Sequence, residues 1–146
     1  MPDLPNSGVV APPPGHLRDM AAHLANIVID CQDPDQLATF WQHVLGWEHR
    51  EVDDDGVEIG DGAPGGVAIL FERVRERKAG KNRVHIDVRP RGCDQASELA
   101  RLRQLGARLV DVGQEDVSWV VLADPEGNEF CLLRTPIDEL EVATAS

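Results

Sequence analysis

The sequence predicts an α+β fold in which two tandem βαβββ modules form a curved mixed sheet around a shared cleft. Three observations lead to this prediction. A strand, a helix and three more strands follow one another twice, the two helices have nearly equal length, and each follows a strand with period-two alternation. Because each helix would cover one face of its own sheet, the two uncovered faces are left to enclose a cleft.

The first module is predicted over about residues 23–75. Apolar and polar residues alternate over residues 24–31, which is typical of a half-buried strand. Asp33 is suited to cap a helix and Pro34 to its first turn, and Gly46 is suited to end it. Three further strands are predicted over residues 47–52, 57–60 and 67–74.

The second module is predicted over about residues 82–134 and repeats this order. A strand over residues 83–89 precedes a helix over residues 94–105, which Gly106 ends. Three strands then follow, over residues 107–112, 117–123 and 128–133.

The strand that opens the second module carries the strongest candidates for functional side chains. His85 and Asp87 alternate with apolar residues, so both side chains project from the face opposite the helix. A lone histidine on a strand is more often structural than functional, so its neighbours in the fold decide the interpretation. A gapless alignment of the two modules sets Asn26 of the first strand against His85.

The remaining segments are predicted to be tails and a connector around one domain over residues 21–135. Residues 1–20 are rich in proline and are predicted to be flexible, and residues 136–146 are acidic and predicted to fray. Residues 75–81 are basic and predicted to be a solvated connector between the modules.

Composition excludes several classes of function. The 146-residue chain carries a formal charge of −12, which argues against binding to nucleic acid and to anionic membranes. No apolar run approaches the roughly 20 residues that span a bilayer, and the N-terminus has no secretory signal pattern. Three widely separated cysteines without a CxxC pair argue against a disulfide framework, so we expect a cytoplasmic protein.

An ordered series of short motifs resembles the glyoxalase-like branch of the vicinal oxygen chelate superfamily, the glyoxalase/bleomycin resistance/dioxygenase fold. The motifs are IDCQDP at residues 29–34, FW at 40–41, LGW at 45–47, LFERV at 70–74, KNRVHID at 81–87 and WVVLADPEGNEFC at 119–131. No single motif is specific, but the series covers about residues 24–134.

The resemblance implies a set of four positions that hold a divalent metal in metal-dependent members, here Asn26, Glu72, His85 and Cys131. His85 and Glu72 are suited to Zn, Ni, Mn or Fe, and they are also the candidates for catalysis. Asn26 and Cys131 are atypical ligands for this chemistry. A divalent metal at these positions is therefore possible, and its absence is the favoured expectation. The further candidates for lining a pocket are Asn26, Asp30, Asp87, Trp119 and Cys131.

The resemblance leaves two classes of function open. The first is an enzyme, a lyase, isomerase or dioxygenase that acts on a small oxygenated metabolite. The second is a non-catalytic protein of the drug-sequestering, resistance type, which binds a small molecule without metal. A small molecule is the expected partner in both cases, and a homodimer is expected by analogy alone.

Overall fold

The computed structural model describes Asp19, residues 21–111 and residues 117–144. Almost all of the predicted N-terminal tail and the end of the strand predicted over residues 107–112 lie outside this range. The elements are β1 (Asn26–Cys31), α1 (Pro34–Leu45), β2 (His49–Val52), β3 (Gly56–Gly60), β4 (Ala68–Arg73), β5 (Ile86–Val88), α2 (Gln95–Leu105), β6 (Arg108–Leu109), β7 (Val120–Ala123), β8 (Glu129–Leu132) and α3 (Ile137–Thr144).

The strands form two mixed sheets, which confirms the α+β class and the tandem βαβββ arrangement. Their orders are β1-β4-β3-β2 in module 1 and β5-β8-β7-β6 in module 2. In each sheet the first and last strands of the module pair in parallel, and the other pairs are antiparallel. The described strands therefore make two separate four-stranded sheets, with β1 and β5 each at an edge.

Helix α1 begins and ends where its sequence signals predict. The Asp33 carboxylate accepts a hydrogen bond from the Gln36 N–H at 3.1 Å, and Pro34 lies in the first turn. Gly46 ends the helix in the left-handed conformation, with φ at 68°. Glycine adopts this conformation without the steric cost that a Cβ would add.

The aromatic residues of α1 join the two modules into one core. The Trp41 ring packs edge-on against Phe130 of β8, with 5.0 Å between the ring centroids. The Trp41 indole N–H donates to the Asp124 carboxylate at 3.1 Å, and Asp124 is completely buried. The same carboxylate accepts hydrogen bonds from Asn128 and from the Glu126 N–H, so one buried acid holds the β7–β8 turn against α1.

A second contact joins the helices themselves. The Arg101 guanidinium of α2 donates to the carbonyl oxygens of His43 and Val44 at 2.9 and 3.1 Å, which satisfies the C-terminal end of α1. Arg101 is also paired with the buried Glu98 carboxylate at 2.6 Å. A cation near the last carbonyls of a helix complements its dipole.

The parallel ladders of the two modules end in the same way. In module 1 the Val74 N–H donates to the Cys31 carbonyl at 2.8 Å, and in module 2 the Leu133 N–H donates to the Val88 carbonyl at 2.8 Å. Each of these bonds follows the last paired residues of its ladder. Cys31 therefore corresponds to Val88.

Counting back from these ladder ends sets Val28 against His85, two residues from the Asn26 of the gapless alignment, and the Ile-Asp pairs at residues 29–30 and 86–87 then coincide. Because side chains on a strand repeat every two residues, the shift leaves each one on its predicted face.

Several strands are shorter than predicted. β5 covers three of the seven predicted residues. Its first residue, Ile86, pairs with Phe130, and the partner strand β8 begins only one residue before Phe130, so the ladder extends no further toward the start of β5. β7 begins at Val120, so Trp119 precedes it. Strand alternation in the sequence shows where a chain is extended but not where its partner ends.

The C-terminal segment was predicted to fray, and the structure instead forms α3. The Ile137 N–H donates to the Pro90 carbonyl at 2.9 Å, and the Arg91 guanidinium pairs with Glu141 at 3.3 Å. The Asp138 carboxylate accepts from the Gly92 N–H. Contacts with the loop after β5 stabilise this helix. None of the described helices is long and apolar enough to cross a bilayer.

Candidate functional site: a cavity between the modules and a histidine cluster beside it

The inner edges of the two sheets bound a cavity of about 570 Å³. Residues 27–30 of β1 line one side, and residues 84–86 at the start of β5 line the other. Small-molecule sites in proteins typically have volumes of about 300–1,000 Å³. The cavity is therefore large enough for a metabolite, and it lies between the modules as the sequence predicted for the cleft.

Much of the cavity wall is apolar and open to solvent. Val28 is 50% exposed and Val84 is 80% exposed, and Ile27 at 37% also faces the opening. Burial of such surface by an organic ligand is favourable by about 25 cal/mol per Å². The floor is made by Trp41 and Phe130 of the shared core.

The connector between the modules forms another wall, and Glu129 holds it in place. The Glu129 carboxylate accepts hydrogen bonds from the Lys78 ammonium and from the Asn82 N–H, each at 3.0 Å. Burial raises the pKa of Glu129, but these hydrogen bonds outweigh it, and the pKa lies below its ordinary value. The connector, predicted to be solvated, therefore lines the cavity and is held there by a partly buried ion pair.

His85 gathers two further donor groups on its Nδ1 side. Its Nδ1 lies 3.1 Å from the Asp87 carboxylate and 3.9 Å from the Cys131 sulfur. The ligand atoms of these three residues all lie within 4.8 Å of one another. We call them the His85 cluster. The predicted positions His85, Asp87 and Cys131 are thus brought together, because His85 directly precedes β5, two residues from Asp87, and Asp87 pairs with Cys131.

The geometry of the His85 cluster excludes a charge-relay triad. In such a triad the nucleophile and the acid contact different ring nitrogens. Here both the Cys131 sulfur and the Asp87 carboxylate approach Nδ1. No residue in the described part of the chain hydrogen-bonds to Nε2, and His85 lines the cavity.

The Cys131 thiol is the least solvated member of the cluster, at 7% exposure. Burial, followed by the Asp87 carboxylate, raises its pKa above the ordinary value. A thiol in this environment stays protonated in neutral solution and is a poor nucleophile on its own.

The other two positions implied by the resemblance lie elsewhere. Glu72 pairs with Asp30 across β1 and β4, and its carboxylate is not part of the His85 cluster. Asn26 pairs with Ala68, and this pair lies four residues along the ladder from the Asp30–Glu72 pair. At roughly 3.3 Å per residue, the two pairs are about 13 Å apart. The four positions therefore do not fit one metal coordination sphere.

Of the remaining pocket candidates, one lines the cavity and one lies outside its described lining. Asp30 lines the cavity opposite His85. Trp119, which we expected either to stack a ligand or to join the core, is 41% exposed and lies outside the described lining of this cavity. Sequence reasoning missed Lys78 and Val28, because their role depends on partners far along the chain.

Module 1 carries a second group of metal-ligating side chains on the open face of its sheet, formed by His49, Glu51 and Glu58. His49 and Glu51 are exposed, and their nearest charged atoms are 3.6 Å apart. Glu58 is the direct cross-strand neighbour of Glu51. The group lies outside the described lining of the central cavity.

Comparison with known proteins agrees with this architecture. A family model described as a glyoxalase-like domain matches residues 26–133. A sequence search of curated proteins finds no match. The chain belongs to the glyoxalase-like domain family, within the vicinal oxygen chelate superfamily.

Solved structures with this fold differ in their described activities. A glyoxalase/bleomycin resistance/dioxygenase family enzyme from Burkholderia phytofirmans PsJN has a TM-score of 0.59 at 18% identity, covering 76% of this chain and 97% of its own. The fosfomycin resistance protein FosX from Mesorhizobium loti has a TM-score of 0.59 at 15% identity, covering 83% and 99%. The trypanothione-dependent glyoxalase I of Leishmania major has a TM-score of 0.54 at 18% identity, covering 86% and 94%. At these identities the likeness establishes the fold alone.

Proposed function

We propose that the protein binds a small oxygenated organic molecule in the cavity between its modules and exchanges a proton with it through Nε2 of His85. The observation that carries this proposal is the position of His85, which lines the cavity while its Nδ1 is held by Asp87. A lyase or isomerase reaction of the glyoxalase-like class is the corresponding chemistry. Oriented imidazoles commonly perform such proton transfers.

The lining of the cavity supports a ligand with both an apolar and an oxygen-bearing part. Val28 and Val84 offer exposed apolar surface near the opening. Arg77 places positive charge on the connector wall, beside the Lys78–Glu129 ion pair. Ligand oxygens can accept hydrogen bonds from the Arg77 guanidinium, and such bonds are stronger than bonds from neutral donors.

A second function, sequestration of a small molecule without chemistry, is favoured by a different observation. The four positions implied for a catalytic metal do not converge, since Asn26 and Glu72 lie at different places along the β1–β4 pair. A cavity that only binds would use the same apolar walls. The two functions therefore share the cavity and differ in whether the ligand is transformed.

A thermal-shift screen of small oxygenated acids, ketones and epoxides tests the proposal, because a ligand that binds the folded state raises its melting temperature. For a hit, binding and turnover are then compared in His85→Gln and in the matched surface variant His43→Gln. We expect H85Q to abolish turnover and H43Q to behave as the parent chain. His43 is exposed and bonded to the Thr39 carbonyl within α1.

Substitution of Val28 by Trp tests the location of the site. The larger ring would fill the space between β1 and β5, so ligand binding should be lost while the melting temperature without ligand stays close to that of the parent. Turnover that survives in H85Q would contradict the proton-transfer role. Binding without turnover in the parent chain would establish sequestration, and unchanged binding in V28W would remove the ligand from this cavity.

A further inference from the structure

We propose that His49, Glu51 and Glu58 form a zinc site on the open face of the module 1 sheet. Their ligand atoms all lie within 4.8 Å of one another. None of the three is among the positions that the resemblance implies for a metal. The site goes beyond the proposed function, because it lies outside the described lining of the central cavity and needs no organic ligand.

The register of β2 and β3 holds the three donors together. His49 and Glu51 are two residues apart on β2, so their side chains project from one face. Glu58 of β3 is the direct partner of Glu51, and Gly60 is the partner of His49. A Cβ at Gly60 would lie 3.6 Å from the His49 ring, so the imidazole lies against β3 at a position where no side chain displaces it.

The spacing of the donor atoms suits a tetrahedral zinc ion. The distance from His49 Nε2 to the Glu51 carboxylate is 3.6 Å. Zn–N and Zn–O bonds of about 2.0–2.2 Å in a tetrahedral arrangement place N and O about 3.4 Å apart. The side chains of His49 and Glu51 are 41% and 70% exposed, so they can make this small adjustment without disturbing the core.

The charges on this sheet face give an independent reason for a cation. Like charges directly opposite each other in an antiparallel pair are destabilising, and Glu51 and Glu58 are such a pair. In the described part of the chain, neither carboxylate forms an ion pair with a Lys or Arg. Asp30 and Glu72 form a second acidic pair on the same face, where the described strands place no Lys or Arg. A bound divalent cation would therefore remove repulsion that the chain itself does not offset.

The imidazole favours zinc over harder cations. Ca²⁺ takes about six to eight oxygen ligands, and Mg²⁺ is bound through oxygens and keeps several waters. Zn²⁺ is bound by imidazole nitrogen and carboxylate oxygen, and sites with three protein ligands hold water at the fourth position. Zinc at this site would join β2 to β3 through their side chains, so its binding should raise the melting temperature.

Calorimetric titration of the metal-free chain with Zn²⁺ tests the proposal. It is carried out in a His85→Gln background, so that zinc at the His85 cluster does not contribute. We expect one zinc ion per chain and a higher melting temperature with zinc. Loss of an outer partner of a metal ligand typically costs about 10–100-fold in affinity, so His49→Gln and Glu58→Gln, which remove direct ligands, should each cost at least that much.

Two matched variants control for other surface groups. His43→Gln removes an exposed imidazole on α1, and Glu48→Gln removes an exposed carboxylate that directly precedes β2. Both should leave the zinc affinity unchanged. Glu51→Lys places a fixed positive charge opposite Glu58, so it should raise the melting temperature of the metal-free chain and abolish zinc binding.

Four results would overturn the proposal. They are no stoichiometric zinc binding, an affinity that is unchanged in H49Q or in E58Q, zinc binding that survives in E51K, or equal affinities for Zn²⁺ and Ca²⁺. A melting curve for each variant shows that the chain is folded when its zinc affinity is measured.

Discussion

The two modules share one topology and differ in what their inner strands carry. Aligned by the last bonds of their parallel ladders, module 2 has His85, Asp87 and Cys131 where module 1 has Val28, Asp30 and Glu72. The imidazole is therefore present on one side of the cavity and replaced by an apolar side chain on the other. At this position module 2 supplies an imidazole and module 1 supplies an apolar side chain.

The modules also differ in how their last turns are used. In module 2 the Asp124 carboxylate of the β7–β8 turn is completely buried against Trp41 of module 1. In module 1 the Asp61 carboxylate of the β3–β4 loop accepts a hydrogen bond from Ala63 within its own exposed loop. The carboxylates of these two turns should therefore contribute differently to the free energy of unfolding.

The largest effect is expected for Asp124→Ala. The change leaves the Trp41 N–H, the Asn128 amide and backbone N–H groups of the turn without their acceptor in the core. At about 1–3 kcal/mol for each buried group left unsatisfied, the free energy of unfolding should fall by about 3–5 kcal/mol. Chemical denaturation measures this loss.

Asp61→Ala is the matched control in module 1, and surface changes of this kind stay within about 0.5 kcal/mol. Asp124→Asn keeps one acceptor oxygen and should fall between the two. Equal losses in D124A and D61A would show that the two turns are equivalent and that the contact with Trp41 is not what joins the modules.

A smaller effect, on metal affinity, is expected when module 1 receives at position 28 the imidazole that module 2 has at His85. Val28→His places an imidazole two residues before Asp30, on the face that also holds Glu72. The resulting His/Asp/Glu set is rich in oxygen, so it should bind Ni²⁺ or Mn²⁺ about tenfold more tightly than the parent chain. Calorimetric titration in a His49→Gln background isolates the new site.

Unchanged metal affinity in V28H would mean that an imidazole at position 28 does not come close enough to the Asp30 and Glu72 carboxylates to bind a metal with them. Thermal denaturation without metal is the control, because the substituted side chain is half exposed and should not affect folding.

The smallest effect is expected for Glu129→Gln, which weakens the attachment of the connector in module 2. Because the pKa of Glu129 in the folded chain lies below its ordinary value of 4.5, its contribution to stability is present above that pH and is lost as the pH falls further. At pH 7 the variant should lose about 1 kcal/mol, typical of a partly exposed charged hydrogen bond. Denaturation at a series of pH values measures it.

The difference between E129Q and the parent chain should shrink as the pH falls below 4.5, and it should vanish once the folded carboxylate, whose pKa is lowered, is protonated. A difference that is independent of pH would show that the ion pair with Lys78 is not the source of the effect.

The sequence predicted the fold from local signals. Helix α1 was recognised from Asp33, Pro34 and Gly46, and the strand faces were recognised from alternation. These features depend on neighbours only a few residues away. They survive in the structure because tertiary packing reinforces them.

The candidate site was predicted only in part. Alternation identified His85 and Asp87, but register cannot be read from one strand, so the sequence did not show that Asp87 pairs with Cys131. The ion pair of Lys78 with Glu129 joins residues 51 positions apart and left no local signal.

The most direct test of the role of module 2 compares binding and turnover of a cavity ligand in the parent chain and in His85→Gln. We predict that H85Q still binds the ligand and loses its turnover, because His85 lines the cavity and its Nδ1 is held by Asp87. Turnover that survives in H85Q would contradict the account.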